Sequence, residues 1–71
     1  MPVMETMGLV REIDVFLAES DMAESTFGRK AVNDGKFVNR IRQGGDVSIR
    51  IAEKVRLYIA SERLKRVENA A

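Results

Sequence analysis

Neither cysteine nor histidine occurs anywhere in these 71 residues, and that absence narrows the folding problem before any pattern is read. A chain of this length buries only about 60% of the surface its unfolded form exposes, so its core is small and its stability marginal. Domains of this size usually compensate with disulfides, a structural metal or a partner subunit. Two of these routes are closed: no disulfide can form, and the usual sulfur and nitrogen ligands of zinc are missing. What remains, for one domain spanning 1–71, is pairing with a second copy or unusually efficient helix packing. No cofactor and no metal are expected.

Apolar periodicity predicts four helical segments and no strand. The first runs from about Met4 to Glu19, where Leu9, Val10, Ile13, Phe16 and Leu17 recur at three-to-four-residue spacing. Ser20-Asp21 ends it with residues that favour turns. The second covers about Glu24 to Val32, with Asp21 and Glu24 spaced as a capping box and Gly28 placed for close approach to another helix. Asn33-Asp34-Gly35 supplies a turn, in which Asn33 tolerates a left-handed backbone and Asp34 caps the next helix. A short third segment, Gly35 to Gln43, turns Phe37, Val38 and Ile41 inward and stops at Gly44-Gly45. The fourth starts after Ser48, a good N-cap, and continues to about Val67.

That last segment carries two apolar lines. Ile51, Ala52, Val55, Tyr58 and Ile59 form one, and Ile49, Leu57, Ala60, Leu64 and Val67 fall roughly opposite. A helix that is apolar on two faces is buried on both or meets a partner. In so small a chain a partner is the expectation, and the second line is its candidate dimer interface. Phe27, Phe37 and Tyr58 read as core aromatics, and the methionines at 1, 4, 7 and 22 as the start and as core filler.

The formal net charge of +1 conceals an uneven distribution. Up to Thr26 the chain has six acids and one base, Arg11; from Phe27 to Arg66 it has eleven bases and four acids. Such asymmetry points to a nucleic acid or a membrane surface, although solvated Lys and Arg on helices produce the same count. No run approaches the roughly 18 apolar residues of a membrane span. Met1 to Thr6 lacks the basic start and apolar stretch of a signal peptide. A cytoplasmic protein without a membrane partner is therefore expected.

The informative stretch is Phe27 to Gly44, FGRKAVNDGKFVNRIRQG. It reads as a helix, a tight turn and a second short helix with a polar, basic outer face. This is the helix-turn-helix layout, motif about 24–44, in which the second helix enters the major groove of double-stranded DNA. Lys36 and Arg40 can donate to guanine, Asn39 can make a two-point contact with adenine, and Gln43 stands at the rim. Arg29 and Lys30 are candidate phosphate ligands, since such contacts set register without reading sequence. Gly35 removes bulk where backbone N–H groups can approach a phosphate.

The arrangement resembles the lambda-repressor/Cro family, the XRE-type regulators. Phe27-Gly28 sit where that family has a Leu-Ala pair, Asp34 takes the capping position, Val38 and Ile41 match the inward pair, and Gly44 matches the terminal glycine. Ser48 with Ile49, Ala52, Val55 and Ile59 fits the family's next helix. Val32 stands where a turn glycine is common, with Asn33 beside it to take the unusual backbone angles. The family's usual Gln near the start of the first motif helix is missing, so the resemblance implies Ser25 or Thr26 as the phosphate ligand there. A prolonged fourth helix replaces the family's fifth. The resemblance implies an all-α, four-helix, lambda-repressor-like helix-turn-helix domain with an extended C-terminal helix. It also implies a transcriptional regulator, such as a repressor, binding an inverted-repeat operator as a homodimer.

Each of these residues has a plainer reading. Lys36, Asn39, Arg40 and Gln43 fit the solvated face of any short helix, and Arg42, Arg50 and Lys54 fit either phosphate contact or solubility. Catalysis finds no support: there is no His, no Cys, no Gly-rich phosphate loop and no paired acid motif, and no small-molecule pocket is apparent. The alternative to a DNA-binding regulator is a protein-binding helical module (an antitoxin, adaptor or anti-repressor). It would use the acidic first helix or the Leu57/Leu64 face.

Overall fold

The backbone of residues 2–70 and the side chains of residues 8–67 are described by the computed structural model. These residues form four α-helices and no strand: α1 (Pro2–Ser20), α2 (Glu24–Val32), α3 (Phe37–Arg42) and α4 (Ile49–Ala70). The all-α expectation is met. Met4 and Met7 lie outside the described side chains. No helix among the described residues is long and apolar enough to cross a membrane.

Each helix turns inward the stripe that its sequence spacing demands. Leu9, Ile13 and Phe16 of α1 are fully buried, as are Phe27 of α2 and Val55 of α4. Phe37, Val38 and Ile41 line the inner side of α3, and Ala52 and Ile59 complete the α4 stripe. Phe16, Phe27 and Tyr58 tie α1, α2 and α4 together. Their ring centroids lie 5.5 to 6.2 Å apart in tilted and edge-on geometry, the arrangement that aromatic quadrupoles favour. The Tyr58 hydroxyl points at the Met22 sulfur, 3.9 Å away. Burial, reinforced by the nearby Glu62 carboxylate, raises its pKa above the ordinary tyrosine value.

α1 and α4 lie side by side and run in the same direction. Glu12 accepts from Arg56, and one heptad further on Glu19 accepts from Arg63, at 2.8 and 2.7 Å. Arg66 adds a bond to the Glu19 backbone carbonyl. Arg42 of α3 pairs with both Asp14 and Glu24. Exposed pairs of this kind contribute little individually. Their consequence is for charge: Glu12, Asp14 and Glu19 of the first helix are engaged by arginines of α3 and α4. Much of the asymmetry along the chain is thus neutralised inside the fold. Arg42 is one of these arginines, held between Asp14 and Glu24.

The helix ends depart from expectation in three places. The proposed Asp21/Glu24 capping box does not form. Asp21 adopts a left-handed backbone (φ 56) that terminates α1. α2 instead starts from an extended Ala23 with no side-chain cap, and its first bond runs from Phe27 N–H to the Ala23 carbonyl. α3 is shorter than the predicted Gly35–Gln43, because Gly35 and Lys36 belong to the turn before it and Gln43 to the turn after it. α4 starts as predicted, with Ser48 Oγ accepting from Ile51 N–H at 3.2 Å, but it continues past Val67 to Ala70.

The second apolar line of α4 is left in solvent. Ile49, Leu57, Leu64 and Val67 are 61–71% exposed, and Ala60 is exposed between them. Helical spacing puts Glu53 on this strip between Ile49 and Leu57. The continuous part therefore begins at Leu57.

Candidate nucleic-acid interface

The turn between α2 and α3 is built by three residues acting on the backbone. Asn33 takes the left-handed conformation (φ 58, ψ 36), and its N–H bonds to the Arg29 carbonyl. The expected role of Asn33 beside Val32 is the observed one. Asp34 N–H then donates to the Gly28 carbonyl at 3.1 Å, folding the turn back over α2. A Cβ on Gly28 would lie well under 3.0 Å from the Asp34 carbonyl oxygen. The glycine is thus required above all for close approach of this turn, and the expected approach of another helix is present as well, with Phe37 of α3 at 3.4 Å from the same point.

Asp34 organises the entry to α3 without being its helical N-cap. Its carboxylate accepts from Lys36 N–H at 3.0 Å, and its carbonyl accepts from Phe37 N–H at 3.2 Å. Its other carboxylate oxygen pairs with Arg40. Among the described residues nothing bonds the Gly35 amide. The far end of α3 closes in a Schellman arrangement. Gly44 has φ 97, its N–H donates to the Ile41 carbonyl, and Gly45 N–H donates to the Arg40 carbonyl.

Held at both ends, α3 presents two distinct faces. Phe37, Val38 and Ile41 point into the core. Lys36, Asn39, Arg40 and Gln43 are all exposed, and helical spacing puts them together on the opposite side. Gln43 Nε2 reaches Asn39 Oδ1 at 3.4 Å. The four proposed base-reading side chains therefore share one outward face. Arg40 is exposed but not unpartnered, however. It is folded back onto Asp34.

The proposed phosphate ligands divide. Around Gly35, the Ser25 carbonyl and the Arg29 guanidinium stand 3.6 and 3.9 Å from where a Cβ would be. Ser25, Arg29 and Gly35 thus form one patch beside the turn. Thr26 is half-buried, and it and Lys30 lie a strip further round α2. Among the described residues no ion pair holds Arg29, Lys30, Lys36, Arg50 or Lys54. The uncompensated positive charge is concentrated in the motif and the first turns of α4.

The sequence reading missed the partners of the arginines. The heptad spacing of Glu12 and Glu19, matched by Arg56 and Arg63, was the available signal. Nothing in the sequence pointed Arg40 at Asp34. A shallow groove of about 180 Å³ lies between the turn, α3 and the start of α4, with Asp34, Arg40, Asp46 and Ser48 on its polar side. Among the described residues there is no cluster of three or more metal-ligating side chains. No protein-family model, curated protein or solved structure matches the chain.

Proposed function

We propose that the protein is a sequence-specific, double-stranded DNA-binding transcriptional regulator of the lambda-repressor-like (XRE) kind, acting in the cytoplasm. The observation that carries this reading is the outward face of α3. Lys36, Asn39, Arg40 and Gln43 stand together there on a helix locked from behind by Phe37, Val38 and Ile41. A single helix with such a face fits the major groove, where Arg, Lys and Asn have complementary donors and acceptors on base edges. Ser25, Arg29 and the unbonded Gly35 amide flank it as phosphate ligands, with Lys30 and Thr26 further along α2.

Among the described residues no side-chain arrangement suggests catalysis, and the reading needs neither cofactor nor metal. Two domains would bind an inverted repeat with half-sites about one helical turn apart. They would pair through the exposed line of α4, of which Leu57, Ala60, Leu64 and Val67 are the continuous part and Ile49 an outlier.

Selection of bound sites from random DNA, then gel-shift titration over a salt series, tests this reading. Affinity should fall steeply with salt, each neutralised phosphate adding about 0.9 to the slope of log K against log salt. Absence of any retarded DNA at low salt would overturn it. The exposed Leu57/Leu64 face favours, as the second reading, a protein-binding module such as an antitoxin, adaptor or anti-repressor. On that reading the acidic first helix, whose Glu12, Asp14 and Glu19 pair with the chain's own arginines, would have to exchange those exposed pairs for a partner's bases.

A further inference from the structure

The exposed strip on α4 has a property that pairing through this helix does not by itself require. Its apolar positions, 57, 60, 64 and 67, are spaced three, four and three residues apart. This is the a/d seam of a coiled coil, and it reads the same in either direction. A helix laid against a reversed copy of itself therefore meets its own pattern in register. Such self-complementarity is what a two-fold axis demands of an isologous interface.

We propose that α4 pairs with α4 of a second copy in antiparallel orientation, about a two-fold axis level with residue 62. This inference rests on the proposed pairing of two domains through α4 and adds its direction and register. Leu57 then packs against the partner's Val67, and Ala60 against the partner's Leu64. Each layer combines residues that fill it evenly. A parallel pair would set Ala60 on the partner's Ala60 and leave that layer underfilled, with Leu64 crowding the partner's Leu64 in the next.

Charge argues the same way. In a parallel pair the seam continued toward the start of α4 brings Glu53 onto the partner's Glu53 and Arg50 onto the partner's Arg50. Like charges directly opposed disfavour pairing. The antiparallel register instead sets Glu53 about one turn past the partner's Val67, away from the partner's Glu53.

The flanks of the reversed pair are tolerable. On one side Ser61 faces the partner's Ser61. On the other Arg63 approaches the partner's Arg63, but each guanidinium is already turned to Glu19 of its own α1, at 2.7 Å. Leu57, Leu64 and Val67 are 71%, 61% and 67% exposed. Three turns of one helix put the interface at or below the roughly 1,200 Å² at which stable specific contacts begin. The dimer is therefore expected to be concentration-dependent and to exchange, so that two variants can be mixed and crosslinked.

The chain has no cysteine, so single cysteines report the register without a background. Leu57→Cys and Val67→Cys both alter exposed positions, and circular dichroism confirms that each variant folds. The variants, alone and mixed, are treated with a short thiol crosslinker in the absence of DNA. In the antiparallel pair each position lies about 15 Å along the helix from its own copy, ten residues at 1.5 Å. The expected result is covalent dimer from the mixture only, in at most half of the chains, beside a concentration-dependent dimer of the unmodified protein in sedimentation. Self-crosslinking of Leu57→Cys or Val67→Cys would overturn the antiparallel register while leaving pairing through α4 intact. A protein that sediments as a monomer at all concentrations, with no crosslinking in any sample, would overturn the pairing itself. Neither outcome bears on whether one domain binds DNA.

Discussion

The carbonyl oxygen of Asp34 stands over the α-carbon of Gly28, so close that any side chain at position 28 would collide with backbone. The same two residues are joined by the bond from Asp34 N–H to the Gly28 carbonyl. This contact sets how tightly the turn folds onto α2, and so where α3 stands. Gly28→Ala is expected to lower stability by about 1–3 kcal/mol through forced backbone displacement, despite the better helix propensity of alanine. Gly35→Ala, whose nearest neighbour would lie 3.6 Å away, is expected to fold with nearly wild-type stability. Urea titrations of the two variants check the contrast, and equal losses would contradict it.

Asn33 ends α2 with φ 58, a conformation that L side chains other than Asn and Asp adopt at a cost. Asn33→Ala should therefore cost about 1 kcal/mol, whereas Asn33→Gly should retain or slightly raise the melting temperature. Thermal denaturation monitored by circular dichroism decides between this and a side-chain role, which would penalise both substitutions alike.

Arg40 reaches Asp34 in the free protein and must let go of it to touch a base. Arg40→Ala should weaken binding to a selected site by about 1–3 kcal/mol and relax base preference at one position. Asp34→Asn removes the competing charge, so it should strengthen binding to unselected DNA and narrow the gap between selected and unselected sites. Competition gel shifts with both DNAs measure the two effects. An Arg40→Ala loss equal on every sequence would assign Arg40 to phosphate.

Tyr58 gives the fold a signature at high pH. Burial, and then the charge of Glu62, raise its pKa in the folded state. The unfolded chain therefore ionises first as pH rises. Stability from this group is complete below the unfolded value near 10 and is lost as pH climbs through the higher folded value. Melting temperature should fall over that window more steeply for the wild type than for Tyr58→Phe. Identical pH profiles would show that the hydroxyl is not desolvated in the folded state.

The helices and their inner faces were legible in the order of residues alone. Period-3.6 spacing fixes which residues share a side, so Leu9, Ile13, Phe16, Val38, Ile41, Val55 and Ile59 could be assigned to the core, and Asn33 to the left-handed turn. The same spacing separated the outward side of α3 from the inward side, because that division depends only on local helical geometry. What the charged side chains do was settled by the packing of one helix on another. A long Arg or Glu finds its partner across helices, at separations of 28 to 44 residues along the chain; the matched heptads of Glu12/Glu19 and Arg56/Arg63 hint at such pairs but do not say which helices pack together. The pairing of α1 acids with Arg42, Arg56 and Arg63 is of this kind. The folding back of Arg40 onto Asp34, six residues away, is a property of the folded turn, and the left-handed Asp21 that replaces the Asp21/Glu24 cap is a property of the turn before α2. The demand for glycine at position 28 likewise arises from a backbone atom six residues away that only the folded turn brings near.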